Sequence, residues 1–198
     1  MEETFEEIQE MFETNTASHM NFCRMGGMTK LLQMIIENKD KTNRARASRV
    51  FGSLVSNNSK TQEFARYSGA INLAVQVARE DDAKTKEPVL GALTAYLRGN
   101  NFVGKRDYIQ KVDGLNQLAK NLCEFDERKI RIKLIQLCND LVMNDDSIFD
   151  FGFKVRDYFI ENDALLKTLF SIIVDTKFEV AHTAQQREFT LAILQRIN

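Results

Sequence analysis

Two short motifs recur along this 198-residue chain at a spacing of about 43 residues, and a period of that length leaves few folds open. The first is a bulky apolar residue followed five positions later by glycine. It occurs as Phe22 with Gly27, Phe64 with Gly69 and Ile109 with Gly114, and a worn copy runs from Tyr158 to Asp163. These glycines stand 42 and 45 residues apart, and the worn copy ends 49 residues further on. The second motif is leucine followed three positions later by asparagine: Leu54 with Asn57, Leu97 with Asn100 and Leu141 with Asn144, with steps of 43 and 44. Periods of roughly 40–47 residues belong to HEAT and armadillo repeats. A unit of that size cannot bury its apolar face alone and must stack on its neighbour.

Each unit reads as three helices. Gly27, Gly69 and Gly114 punctuate a short first helix and release the chain into a second. The second helices carry apolar residues at helical spacing, for example Met28, Leu31, Leu32 and Ile35, then Leu115, Leu118 and Leu122. Third helices follow with core stripes Ala47–Val50–Leu54, Leu90–Leu93–Leu97 and Leu134–Leu137–Leu141, closed by Asn57, Asn100 and Asn144. Pro88 is expected near the start of its helix, where a missing N–H matters little. The first residues place Phe5, Ile8 and Phe12 on one face, and the six glutamates before Arg24 keep the other face polar, as a solenoid cap requires. The expected fold is therefore all-α: a right-handed superhelical solenoid of about four armadillo-like repeats with an N-terminal capping helix. Residues 1–18 would form the cap and 19–62, 63–107, 108–146 and 147–198 the repeats of a single domain.

Composition narrows the function. Lys plus Arg is 27 against 28 Asp plus Glu, a net charge of −1, which argues against nucleic acid as a partner. No apolar run reaches the ~18 residues that cross a bilayer, and the acidic, amphipathic start is no signal peptide. The chain is then cytoplasmic, or a trimmed part of a longer precursor.

Chemistry-bearing motifs are sparse. Cys23, Cys123 and Cys138 lack the spacing of a zinc or redox pair and read as small buried hydrophobes. His19 and His182 are far apart and read as loop or helix-surface residues, with no metal or catalytic role. Asp81–Asp82 and Asp145–Asp146 read as solvated turns, without the pattern of a calcium loop. Neither Gly26–Gly27 nor Gly99–Asn100–Asn101 has phosphate-loop spacing. Asn57–Asn58–Ser59 is an N-glycosylation sequence that matters only for a secretory chain. No enzyme, cofactor or metal is expected.

What remains is a face. With Leu54, Leu97 and Leu141 taken as equivalent, the third-helix residues pointing away from the core are Arg46, Arg49, Tyr96, Arg98, Lys133, Gln136, Asn139 and Asp140. They form a mixed polar ladder with a basic bias, and arginine with an exposed tyrosine is typical of protein interfaces. Lys120, on a second helix, is expected on the opposite, convex side. A peptide-binding armadillo groove would carry a ladder of Trp and Asn. Trp is absent here and only Asn139 lies on the face.

Several segments resemble a known family. FEEIQEMFETNTASHMNFCRMGGM at 5–28 is similar to its opening, SNNSKTQEFARYSGAINLA at 56–74 and VLGALTAYLRGN at 89–100 to its central repeats, and KIRIKLIQLCNDLV at 129–142 to a third helix. The family is that of the armadillo-type nucleotide exchange factors of seventy-kilodalton heat-shock chaperones. The resemblance covers residues 5–145 and fades over the last fifty. It implies a monomer whose concave face, the ladder above, wraps one lobe of the chaperone ATPase domain, opens the nucleotide cleft and releases ADP. The SNNSKTQ loop, the NDLV ending and the long connection from Asp145 to Asp163 look more like the endoplasmic-reticulum branch, which serves BiP, than the cytosolic one. The alternative function is a generic armadillo adaptor without exchange activity.

Overall fold

The computed structural model describes residues 2–125, 127–143, 154–174 and 181–197, and these residues hold thirteen α-helices and no strand. They fall into two compact units, Met1–Gly104 and Lys105–Asn198. The first contains α1 (Glu2–Thr14), α2 (Thr16–Arg24), α3 (Gly27–Ile36), α4 (Lys41–Val55), α5 (Ser59–Tyr67), α6 (Asn72–Arg79) and α7 (Ala83–Leu97). α8 (Phe102–Lys111) spans the division. The second unit continues with α9 (Gly114–Glu124), α10 (Arg128–Val142), α11 (Val155–Glu161), α12 (Asp163–Val174) and α13 (Ala181–Ile197). Asn144, Asp145 and Asp146 lie outside the described residues, as does the side chain of His182.

Within the first unit like packs on like. α2 lies against α5, α3 against α6 and α4 against α7. α1 packs on α4 as α4 packs on α7, so the cap occupies the place of a third helix in an incomplete preceding repeat. The second unit repeats the scheme, with α9 on α12 and α10 on α13.

Each first helix is started by asparagine. The Oδ1 atoms of Asn15, Asn58 and Asn101 accept from Ala17 N (3.0 Å), Thr61 N (3.3 Å) and Gly104 N (3.1 Å). These caps stand a constant 43 residues apart. First helices therefore begin at Thr16, Ser59 and Phe102, and repeat bounds at 18/19, 62/63 and 107/108 would cut α2, α5 and α8. The bound at 146/147 lies outside the described residues.

Four positions after each cap comes a buried polar side chain: His19, Gln62 and Lys105. Each donates to carbonyls at the end of a neighbouring helix that have no partner within it. His19 Nε2 meets Phe12 O at 2.8 Å, Gln62 Nε2 meets Ala95 O (3.1 Å) and Arg98 O (3.2 Å), and Lys105 Nζ meets Met143 O at 2.8 Å. His19 is thus no surface residue. It is 3% exposed, and its Nδ1 pairs with Asn58 Nδ2 at 3.2 Å.

The turn from first to second helix uses the left-handed region at Gly26 (φ 83°), Gly69 (φ 87°) and Asp113 (φ 54°), with steps of 43 and 44. Gly27 and Gly114 serve a different purpose from Gly69. A Cβ on Gly27 would lie 2.4 Å from the Phe22 ring, and one on Gly114 would lie 2.3 Å from the Tyr108 ring. The sequence motif thus aligned two distinct positions, which is why its spacing wandered.

The third helices α4, α7 and α10 are each 15 residues long, with N-caps Asp40, Asp82 and Glu127. Asp40 Oδ1 accepts from Thr42 N at 2.8 Å and Asp82 Oδ2 from Thr85 N at 3.0 Å. Counting from these caps aligns Leu54 with Tyr96 and Leu141, and all three are fully buried. Pro88 is the sixth residue of α7, beyond the first turn, so the Lys84 carbonyl loses its helical donor.

Candidate partner-binding face

On α4, Arg46, Arg49, Ser53 and Ser56 follow at spacings of three, four and three residues and share one stripe. Val50, Leu54 and Phe51 fill the opposite, buried side. Arg49 and Ser56 are exposed, and Arg46 and Ser53 are half-buried. The matching positions of α7 are Pro88, Gly91 and Ala95, so this helix presents small residues where α4 presents arginine. Tyr96 does not belong to the face. It is a core residue of α7, because the stretch from Gly69 to the Asp82 cap is one residue shorter than the stretch from Gly26 to Asp40. Arg98 is exposed at the C-cap of α7, level with Ser56 of α4.

In the second unit, Lys133, Gln136 and Asp140 occupy the α10 positions of Arg46, Arg49 and Ser53, and all three are half-buried. Asn139 sits at the seam with α13. Its Oδ1 accepts from Arg196 Nη1, and its Nδ2 approaches Met143 Sδ at 3.3 Å. The structure thus gathers Arg46 and Arg49 on one stripe of the first unit and Lys133, Gln136 and Asp140 on one stripe of the second.

An ion-pair network holds α4 in place. Glu80, the C-cap of α6, is 3% exposed and takes the Arg44 guanidinium on Oε2, while Lys41 Nζ lies 3.5 Å from its Oε1. Arg44 Nη2 also donates to Asn38 O at 2.6 Å. Lys41 pairs with exposed Asp81 at 3.2 Å and holds that carboxyl below its ordinary range. Asp82, by contrast, is spent on capping α7. Asn57 is an exposed residue in the left-handed region (φ 53°).

The cysteines divide. Burial pushes the Cys23 thiol up to about 11 and the Cys138 thiol up to about 12, so both remain protonated packing groups at neutral pH. Cys123 is exposed, one position round α9 from buried Leu122, with its Sγ 3.5 Å from Thr168 Oγ1. Among the described residues no group of three His, Cys, Asp or Glu side chains could hold a metal ion, and no helix is long and apolar enough to cross a membrane.

No curated protein matches the chain. Two engineered proteins of known crystal structure share its fold. One superposes with a TM-score of 0.76 at 18% identity, covering 97% of this chain and 73% of the other. The second gives 0.78 at 13% identity, covering 99% and 72%. Identities this low show the fold alone, an all-α solenoid of armadillo-like repeats. The family comes from the sequence: residues 18–164, from within α2 to the start of α12, match the SIL1/FES1/HPBP1 C-terminal domain. A match over most of the chain places this protein in the SIL1/FES1/HPBP1 C-terminal domain family, the nucleotide exchange factors of Hsp70 chaperones, which are not enzymes.

Proposed function

We propose that this chain binds the ATPase domain of an Hsp70 chaperone through the polar stripes of α4 and α10 and accelerates ADP release. The observation that carries the reading is the family match, whose span includes both stripes. The mechanism needs no chemistry from the chain. A protein that binds the open form of the nucleotide cleft more tightly than the closed form shifts the population towards open, by no more than that difference in affinity. Exposed Arg49 and half-buried Arg46 on α4, with half-buried Lys133 on α10, supply long cationic side chains to these stripes. Such groups suit the carboxylates of a partner surface.

The test is release of a fluorescent ADP analogue from the purified luminal and cytosolic Hsp70 chaperones. The chain is expected to speed release from at least one of them and to hydrolyse no ATP itself. Arg49→Glu and Lys133→Glu should each weaken binding by roughly 1–3 kcal/mol. Arg49 is exposed, so its reversal should change stability by no more than about 0.5 kcal/mol. The control is Lys120→Glu on α9, where Lys120 is exposed and lies 3.7 Å from Glu124. Binding without faster release would favour an adaptor. Sensitivity at Lys120 with indifference at Arg49 and Lys133 would move the interface off these stripes.

A further inference from the structure

The stripe of α4 does not end at Arg49. It runs on through Ser53 and Ser56 into a cleft of about 580 Å³ between α4, the end of α1 and the start of α2. Besides these two serines the cleft is lined by Glu13, Thr16, Asn57 and Asn58, together with buried Phe12. This lining is rich in acceptors. Glu13 is exposed and brings the cleft its carboxylate. Its Oε1 takes Gln9 Nε2 at 3.0 Å, which leaves most of the carboxylate's acceptor sites open. Ser56 Oγ donates its own proton to Gly52 O at 2.7 Å, so its lone pairs are what it can offer a ligand. The ring nitrogens of His19, which also borders the cleft, are both committed, one to Phe12 O and one to Asn58. Among the described residues no lysine or arginine lines the cleft.

From this we infer that the cleft at the α1–α4 junction is a receptor for a guanidinium group, the head of an arginine on the partner protein. The capping helix then belongs to the gripping surface. A guanidinium presents five N–H donors and no acceptor, the complement of one carboxylate ringed by hydroxyl and amide oxygens. The packing of α1 on α4 in the manner of a third helix gives Glu13 this position. The stripe also sets a spacing. Arg49 and Ser56 are seven residues apart on α4, about 10 Å along the axis. The fitting partner surface carries an acid opposite Arg49 and an arginine about 10 Å away.

The inference rests on the exchange-factor reading for the partner's identity but not for the cleft's chemistry, and two arms separate them. In the first, methylguanidinium chloride is titrated into the whole chain, followed by the amide resonances of Ser53, Ser56 and Asn57, with sodium chloride at matched ionic strength as control. Saturable shifts confined to these residues, lost in Glu13→Gln, are expected. Shifts that fail to saturate, or that persist unchanged in Glu13→Gln, overturn the inference whatever the chaperone does. In the second arm, affinity for the Hsp70 ATPase domain is measured for Glu13→Gln and Glu13→Lys. A loss of about tenfold is expected for the glutamine variant, the scale of one hydrogen bond to a charged group, and a larger loss for the lysine. If the chaperone binds and neither variant weakens it, no partner arginine enters the cleft and the inference falls. If the unaltered chain binds no Hsp70 at all, the exchange-factor reading falls, and the first arm alone decides the cleft.

Discussion

Replacing Tyr96 with alanine is expected to destabilise the protein by about 3–5 kcal/mol, the range for truncating a large buried aromatic. In α7 this residue stands at the same count from its N-cap as Leu54 in α4 and Leu141 in α10, and like them it is fully buried. A surface role predicts the reverse: intact stability and weaker partner binding. Urea denaturation followed by circular dichroism tells the two apart. A midpoint within error of the unaltered protein would put the ring outside the core and restore it to the binding face. Arg98→Ala, two residues on but exposed at the C-cap, supplies the contrast and should leave the midpoint almost unchanged, because its side chain lies at the surface and not in the core. A large loss at Tyr96 with none at Arg98 is the signature of the cap-based register.

That register was written in the sequence, but in quieter residues than those that catch the eye. Asn15, Asn58 and Asn101 recur at an unvarying 43, yet each is a common polar residue, and no apolar marker repeats beside all three. Gly27, Gly69 and Gly114 look equivalent, though Gly69 is there for its positive φ and the other two for the ring packed against them. The repeating apolar stripes set the helices and their order correctly, because periodicity survives a shift of one residue. The identity of an outward-facing side chain does not, since one residue turns it through about 100°. A single-residue shortening between Gly69 and Asp82 was therefore enough to carry Tyr96 from core to surface on paper. His19 and Cys123 show the other limit. His19 is buried by contacts with Phe12 and Asn58, 7 and 39 residues away, and no local pattern reports them. Cys123 follows Leu122 directly in sequence, yet it faces solvent one step round the helix from that buried residue.

Glu80→Ala should cost about 3–5 kcal/mol, whereas the double replacement Arg44→Met with Glu80→Met should lie within about 1 kcal/mol of the unaltered protein. The reasoning turns on where the charges are. The Glu80 side chain is 2% exposed and that of Arg44 13%, so removing the carboxylate alone strands a guanidinium largely out of water. Arg44 would keep only Asn38 O through Nη2, and its Nε is already buried without a hydrogen-bond partner among the described residues. Removing both charges abolishes the desolvation penalty together with the attraction. Two methionines can fill the space with flexible apolar side chains. Lys41 needs no replacement, because its side chain is 51% exposed and can return its charge to water. The network joins the start of α4 to the end of α6, so it fixes the helix that carries Arg46 and Arg49. Urea midpoints of both variants, measured at neutral pH, decide the matter. If the double variant were as unstable as the single one, the pair would contribute net attraction beyond its desolvation cost, and the seating of α4 would depend on that attraction rather than on the apolar packing of Val50, Phe51 and Leu54 beneath it.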